Sequence, residues 1–263
     1  MIISCTARNK IVPESVCTEV SSFENNAFYD GDSIQFNFEG SWILKSYLKS
    51  IAESKGIYKF RDPKHIILGF SYESNPNEES KNLINGYTLH EGGYTFPIKI
   101  ITIPSSGTIL KEDLSRENSI SIPNHGFTII PISQNEVNWK YDDSITVHSY
   151  IRTKLDLDIE INKILFVGEY FQSNGKEVIF EANGVIKGLA GFSNYKVIYD
   201  FGLGIDFDAI VLFKDGIGNW NDGVIYKYIF EGNQLNIQRI DSNWDNLEHT
   251  LTSEIIQLKK NCK

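Results

Sequence analysis

Three cysteines, one methionine and seven prolines in 263 residues leave few handles for covalent or metal chemistry. The cysteines stand at Cys5, Cys17 and Cys262, and no second Cys or His lies near any of them, so zinc spacing is missing. A Cys17–Cys262 disulfide is open to an exported chain, but so distant a pair cannot be read from sequence. His65, His90, His125, His148 and His249 have no partner at ligand spacing, which argues against a metal site. His90-Glu91-Gly92-Gly93-Tyr94 begins like a metalloprotease helix but lacks the second histidine, and its glycines oppose a helix. Gly202-Leu203-Gly204 and Gly216-Ile217-Gly218 complete no nucleotide fingerprint and read as turns, so no cofactor is implied. The Asp215–Gly223 stretch misses the EF-hand spacing and reads as a hairpin loop. No Gly-x-Ser-x-Gly nucleophile motif occurs.

Positive charge is also scarce. Lys and Arg total 25 against 34 Asp and Glu, for a net charge of −9, and the basic residues are scattered. Nucleic-acid binding needs a basic stripe, so that partner class is excluded. No run of about 18 apolar residues is present, so no helix is expected to span a bilayer. Carboxylates are plentiful, yet nothing nominates two of them as the pair a glycoside hydrolase would need.

What the chain does have is alternation. Apolar residues make up 41% and aromatics 13%, enough for a packed core. The last hundred residues hold no proline and run as short period-two segments. Val224, Tyr226, Tyr228 and Phe230 face one way, while Ile225, Lys227 and Ile229 face the other. Gly232-Asn233 then turns the chain into Leu235–Ile240, with Leu235 and Ile237 inward. Eight strands follow from this reading, near 164–171, 177–182, 185–188, 195–199, 208–213, 224–230, 234–240 and 254–259. Eight antiparallel strands close into a barrel, which removes sticky edges.

The two halves echo one another. Phe38-Glu39-Gly40-Ser41-Trp42 matches Phe166-Val167-Gly168-Glu169-Tyr170 as Phe-x-Gly-x-aromatic. Asn85-Gly86 followed by Gly93-Tyr94 matches Asn183-Gly184 followed by Gly191-Phe192, and each Asn-Gly favours a type I′ hairpin. In Tyr47–Lys55 the residues Leu48, Ile51 and Ala52 share a helical face, with Gly56 placed to end a short capping helix. Arg152–Lys163 alternates charged and aliphatic residues and reads as a strand end plus linker. The expected organisation is a flexible tether over 1–35, a first β-barrel-like domain over 36–158 with its helix near 47–55, and a second over 159–263.

Gly40-Ser41-Trp42 near the first strand, followed by a meander, resembles the lipocalin-type barrel. The wider arrangement is similar to two-domain lipocalin-like lipoproteins of Bacteroidetes, a group of uncharacterised activity. Phe38–Phe60, Gly86–Gly93 and Glu177–Phe192 carry the likeness, and Tyr170 departs from the Gly-x-Trp pattern in the second half. Ile2-Ile3-Ser4-Cys5 looks like the tail of a bacterial lipobox, with Cys5 the lipid acceptor, although a complete signal would carry a charged and apolar leader upstream. The resemblance implies a lipid-anchored protein of the cell envelope, periplasmic or outer-membrane; without an upstream leader the expectation is cytoplasmic. Membrane association is expected only through that anchor. The leading functional expectation is a non-enzymatic protein that binds a small apolar ligand or a protein partner. The alternatives are a hydrolase of envelope carbohydrate or lipid, or a structural accessory subunit. Trp42, Tyr170, Tyr226 and Tyr228 are the candidate plug or cavity-lining residues, a packed core being the competing assignment.

Overall fold

The structure is a computed structural model that describes residues 36–61, 66–73, 82–88, 93–103, 107–113, 126–154, 156–199, 201, 205–217, 222–243 and 248–261. The expected tether, the Cys5 lipidation site, Cys17, Cys262, the His90-Glu91 motif and Gly202–Gly204 lie outside these residues. Two antiparallel eight-stranded sheets build the protein. The first is a closed barrel of β1 (Gly40–Leu44), β2 (Gly69–Glu73), β3 (Leu83–Tyr87), β4 (Gly93–Ile103), β5 (Gly107–Glu112), β6 (Phe127–Ser133), β7 (Glu136–Tyr141) and β8 (Val147–Thr153), paired in chain order. Its seam is the β1–β8 pairing, where Trp42 lies opposite Arg152 and Leu44 opposite Tyr150.

The second sheet contains β9 (Gly168–Gln172), β10 (Glu177–Phe180), β11 (Ile186–Lys187), β12 (Asn194–Ile198), β13 (Ala209–Phe213), β14 (Val224–Glu231), β15 (Gln234–Asn243) and β16 (Glu248–Lys260). Their order is β11-β10-β9-β16-β15-β14-β13-β12. The two edges are joined by a Val185–Asn194 bridge, and Ile186 and Tyr195 donate their N–H groups to Ser193 and Gly184 at 2.7 Å each. The sheet thereby curls into a second barrel-like body.

Local chemistry explains most of these elements. Tyr226 and Tyr228 point into the second core, as the alternation requires, while Ile229 is exposed on the outer face. A two-residue turn joins β14 to β15, with Gly232 at φ +57° in the conformation its missing Cβ permits. Strand β13 is buried on both faces: Ile210 and Leu212 enter the main core, and Ala209, Val211 and Phe213 a smaller outer cluster with Ile240. Pro131, which cannot donate to a ladder, sits at the one irregularity of the β6–β7 pairing.

The structure corrects four expectations, two on Asn-Gly turns, one on the segment between the sheets and one on the end of the capping helix. Asn85-Gly86 forms no hairpin turn; it lies inside β3, where a side chain at 86 would press on Ile67 and Phe96 at 3.2 Å. Asn183-Gly184 does turn the chain between β10 and β11, but only Gly184 has positive φ, so the type I′ form is absent. The Arg152–Lys163 segment does hold the end of a strand, but no linker follows it. Strand β8 stops at Thr153 and a helix, α2 (Leu157–Leu165), follows, burying Leu157, Ile161 and Leu165.

Helix α1 (Lys45–Ser54) forms where the apolar spacing places it and buries Tyr47, Leu48 and Ile51. Its left-handed cap is Lys55 (φ 54°) and not Gly56. That costs a non-glycine residue about 1–2 kcal/mol. Both helices contribute to one apolar cluster that runs through both barrels.

Candidate functional site

The interior of the first barrel is filled by rings. Trp139 stacks on Phe127 at 4.1 Å between centroids, and Phe70, Phe96 and Tyr150 lie within 6.0 Å of it. Trp42 is fully buried and stacks on Phe70 at 6.1 Å. The second barrel is filled likewise, by Phe166, Phe180, Tyr195 and Tyr228. Space for a guest is therefore found at the ends of barrels and in grooves.

One such space is a cleft of about 310 Å³ at a mouth of the first barrel, lined by Phe36 to Glu39, Tyr72, Ile100, Thr108 and Leu110. Its floor is inward-facing barrel residues, because Ile100 is opposite Leu110 and Thr102 opposite Thr108 across β4 and β5. Its wall is the segment that leads into β1. Phe36 and Phe38 meet edge-on at 4.6 Å, and Phe38 meets Tyr72 at 6.4 Å.

Two residues pin that wall. Trp42 Nε1 donates to the Phe38 carbonyl at 2.9 Å. Arg152 lies over the Trp42 ring at 4.7 Å and donates through Nη2 to the Asn37 carbonyl. A guanidinium on an indole face contributes about 0.5–2 kcal/mol. Burial lowers the Arg152 pKa from its usual value, though not enough to discharge it. The Tyr72 hydroxyl is buried at the cleft and finds no hydrogen-bond partner among the described residues. Burial first, and then the Glu39 carboxylate, push its pKa up, so it is held protonated as a donor. The cleft thus offers the apolar side chains of Phe36, Phe38, Ile100 and Leu110 beside the polar groups of Asn37, Glu39 and Thr108.

A second groove, of about 230 Å³, lies between α2 and the second barrel. Asp156, Asp158, Asn183, Lys196, Tyr199 and Ile217 are among its lining residues, and Lys196 pairs with Asp158 at 3.3 Å. Asn162 Nδ2 donates to the Ala182 carbonyl at 2.9 Å, and Asp158 Oδ1 is buried with no hydrogen-bond partner among the described residues.

The four aromatic residues singled out from sequence do not converge. Trp42 belongs to the first barrel and stands behind the wall of the mouth cleft. Tyr170 sits at the equivalent place in the second, its hydroxyl donating to the Phe166 carbonyl at 2.9 Å. Both Phe-x-Gly-x-aromatic segments therefore bend back on themselves in the same way, around glycines at φ +108° and +147°. Tyr226 donates to Glu254 at 2.9 Å, and Tyr228 packs on Phe166 at 4.9 Å. Tyr72 and Arg152 escaped notice because their importance depends on strand register, which places them beside Phe38 and Trp42. His148 and His249 contact Tyr141 and Ser242, so the described histidines occupy strand positions.

The chain matches no family model, no curated protein and no solved structure. No described helix is long and apolar enough to cross a membrane.

Proposed function

We propose that this is a non-enzymatic binding protein of the cell envelope, with lipocalin-like barrels, that takes a small apolar ligand at the mouth of its first barrel. The observation that carries the reading is a cleft of about 310 Å³ at the barrel mouth, whose surface is built largely from Phe36, Phe38, Tyr72, Ile100 and Leu110. Ligand sites are commonly apolar concavities of this size with a few polar groups that fix orientation. Glu39 at the rim and a net charge of −9 disfavour an anion. The ligand chemistry that fits is a neutral molecule with an apolar body.

The neutral fluorescent probe N-phenyl-1-naphthylamine tests the cleft directly. Wild-type protein should bind it with micromolar affinity. Ile100→Trp, which fills the cleft from a half-exposed position, should weaken binding by at least tenfold without lowering the melting temperature. Equal affinities in the two proteins would refute the site. Native mass spectrometry of protein from its own host should also show added mass that Ile100→Trp loses.

The envelope assignment rests on Cys5 as the lipid acceptor. Wild-type protein expressed in its host should partition with membranes, and Cys5→Ser should shift it to the soluble fraction. An unchanged distribution would remove the anchor from the proposal.

A further inference from the structure

The two halves meet at a polar contact that the barrels themselves do not require. Asp208, just before β13, accepts the backbone N–H groups of Ile57 at 2.5 Å and Tyr58 at 2.7 Å. These donors follow the left-handed turn that ends α1, in the other half of the chain. The carboxylate comes so close that a Cβ at position 56 would fall 2.2 Å from Oδ2 and 2.8 Å from Cγ. Only glycine fits there, which is why the helix ends on Lys55 and leaves Gly56 for the approach. Phe201 meets the Tyr58 ring edge-on at 5.4 Å beside this contact. Tyr47 of α1 and Tyr228 of β14 are both buried, and the nearby Asp208 charge adds to burial in pushing both phenols up.

We infer that Asp208 is a latch whose acceptor oxygen couples the two barrels into one cooperative unit. The latch works through the two hydrogen bonds that its Oδ1 accepts. Burial holds the Asp208 pKa above the ordinary carboxylate value even though the Tyr58 and Ile57 amides, the Tyr228 hydroxyl and Lys227 all pull it down. A neutral acceptor of the same shape avoids the cost of burying a charge while keeping the bonds to Ile57 and Tyr58. Asp208→Asn should therefore preserve coupling, and Asp208→Ala should weaken it.

Native-state hydrogen exchange of the full-length chain, read by mass spectrometry across a urea series, separates these cases. In wild type, peptides from β1–β8 and from β9–β16 should open with one common urea dependence. In Asp208→Ala the two sets should diverge, the weaker barrel opening at a urea concentration lower by roughly 1 M, as expected for losing two bonds to a charged or strongly polar acceptor. Gly56→Ala, which expels the carboxylate from the opposite side, should diverge in the same way and serves if Asp208→Ala does not fold. Common opening in Asp208→Ala or Gly56→Ala would overturn the latch, as would divergence in Asp208→Asn equal to that of the alanine variant.

Discussion

Replacing Trp139 with alanine is expected to destabilise the protein by about 3–5 kcal/mol, the usual loss for a fully buried tryptophan. For a chain of this size the melting temperature should fall on the order of 10 °C. The residue is completely buried and sits among Phe70, Phe96, Phe127, Tyr141 and Tyr150, so its removal opens a void ringed by aromatic side chains. Such apolar voids stay dry and admit benzene. The alanine variant should accordingly gain benzene binding, seen as a rise in melting temperature with added benzene, which wild type lacks. Trp139→Phe supplies the control. The indole Nε1 has no hydrogen-bond partner among the described residues, so phenylalanine loses volume but also removes an unpaired donor. Its loss should be well below that of alanine, under about 2 kcal/mol. Denaturant titration of the three proteins measures all of this. A wild type that already binds benzene inside the barrel would contradict the packed interior, and would move the ligand from the mouth to the core.

The same packing explains how much of the molecule could be read beforehand. The second sheet was legible because one face of each strand is buried, so Tyr226, Tyr228, Leu235 and Ile237 repeat with period two. Gly232-Asn233 was legible for a local reason: a two-residue loop needs a positive φ that glycine supplies. Helix α2 was not. Its sequence, Asp156-Leu157-Asp158-Ile159-Glu160-Ile161, alternates as a strand would, yet three other facts favour a helix. Asp158 and Glu160 fall in the first turn, Lys163 in the last, and Leu157, Ile161 and Leu165 are four apart. Asn85-Gly86 misled because the glycine there serves a close approach of Ile67 and Phe96, a tertiary demand that local preference does not encode. The mouth cleft was half legible. Trp42 was singled out as a residue type, but the place of Tyr72 beside Phe38 and the clamp by Arg152 exist only once β1 pairs with β2 and β8. Gly56 is the clearest case of a residue whose type was noticed for the wrong reason, since the helix end it was expected to form is made by Lys55.

Glu112→Gln should leave stability nearly unchanged at pH 4.5 and raise it by roughly 1–3 kcal/mol at pH 8. Glu112 ends β5 opposite Ile98, on the same inward face as Leu110, and only 4% of its surface is exposed. Its Oε1 has no partner among the described residues. The lysines of this region are turned elsewhere, Lys99 to Asp113 at 2.7 Å and Lys111 to Asp142 at 3.7 Å. Burial, and to a lesser degree the Asp142 carboxylate, therefore push the Glu112 pKa up to about 7. The folded state holds this proton more tightly than the unfolded chain, whose carboxyl releases it near pH 4.5. Stability from Glu112 is thus complete below pH 4.5 and is lost as pH rises through 7. Glutamine keeps the shape and cannot ionise, so the variant's curve should part from wild type across that window and then run parallel above it. Urea midpoints at half-unit steps from pH 4.5 to 8 would show the divergence. A constant offset at every pH would mean that the carboxylate finds a partner in solution, and the barrel interior would then be wetter at this end than its packing requires.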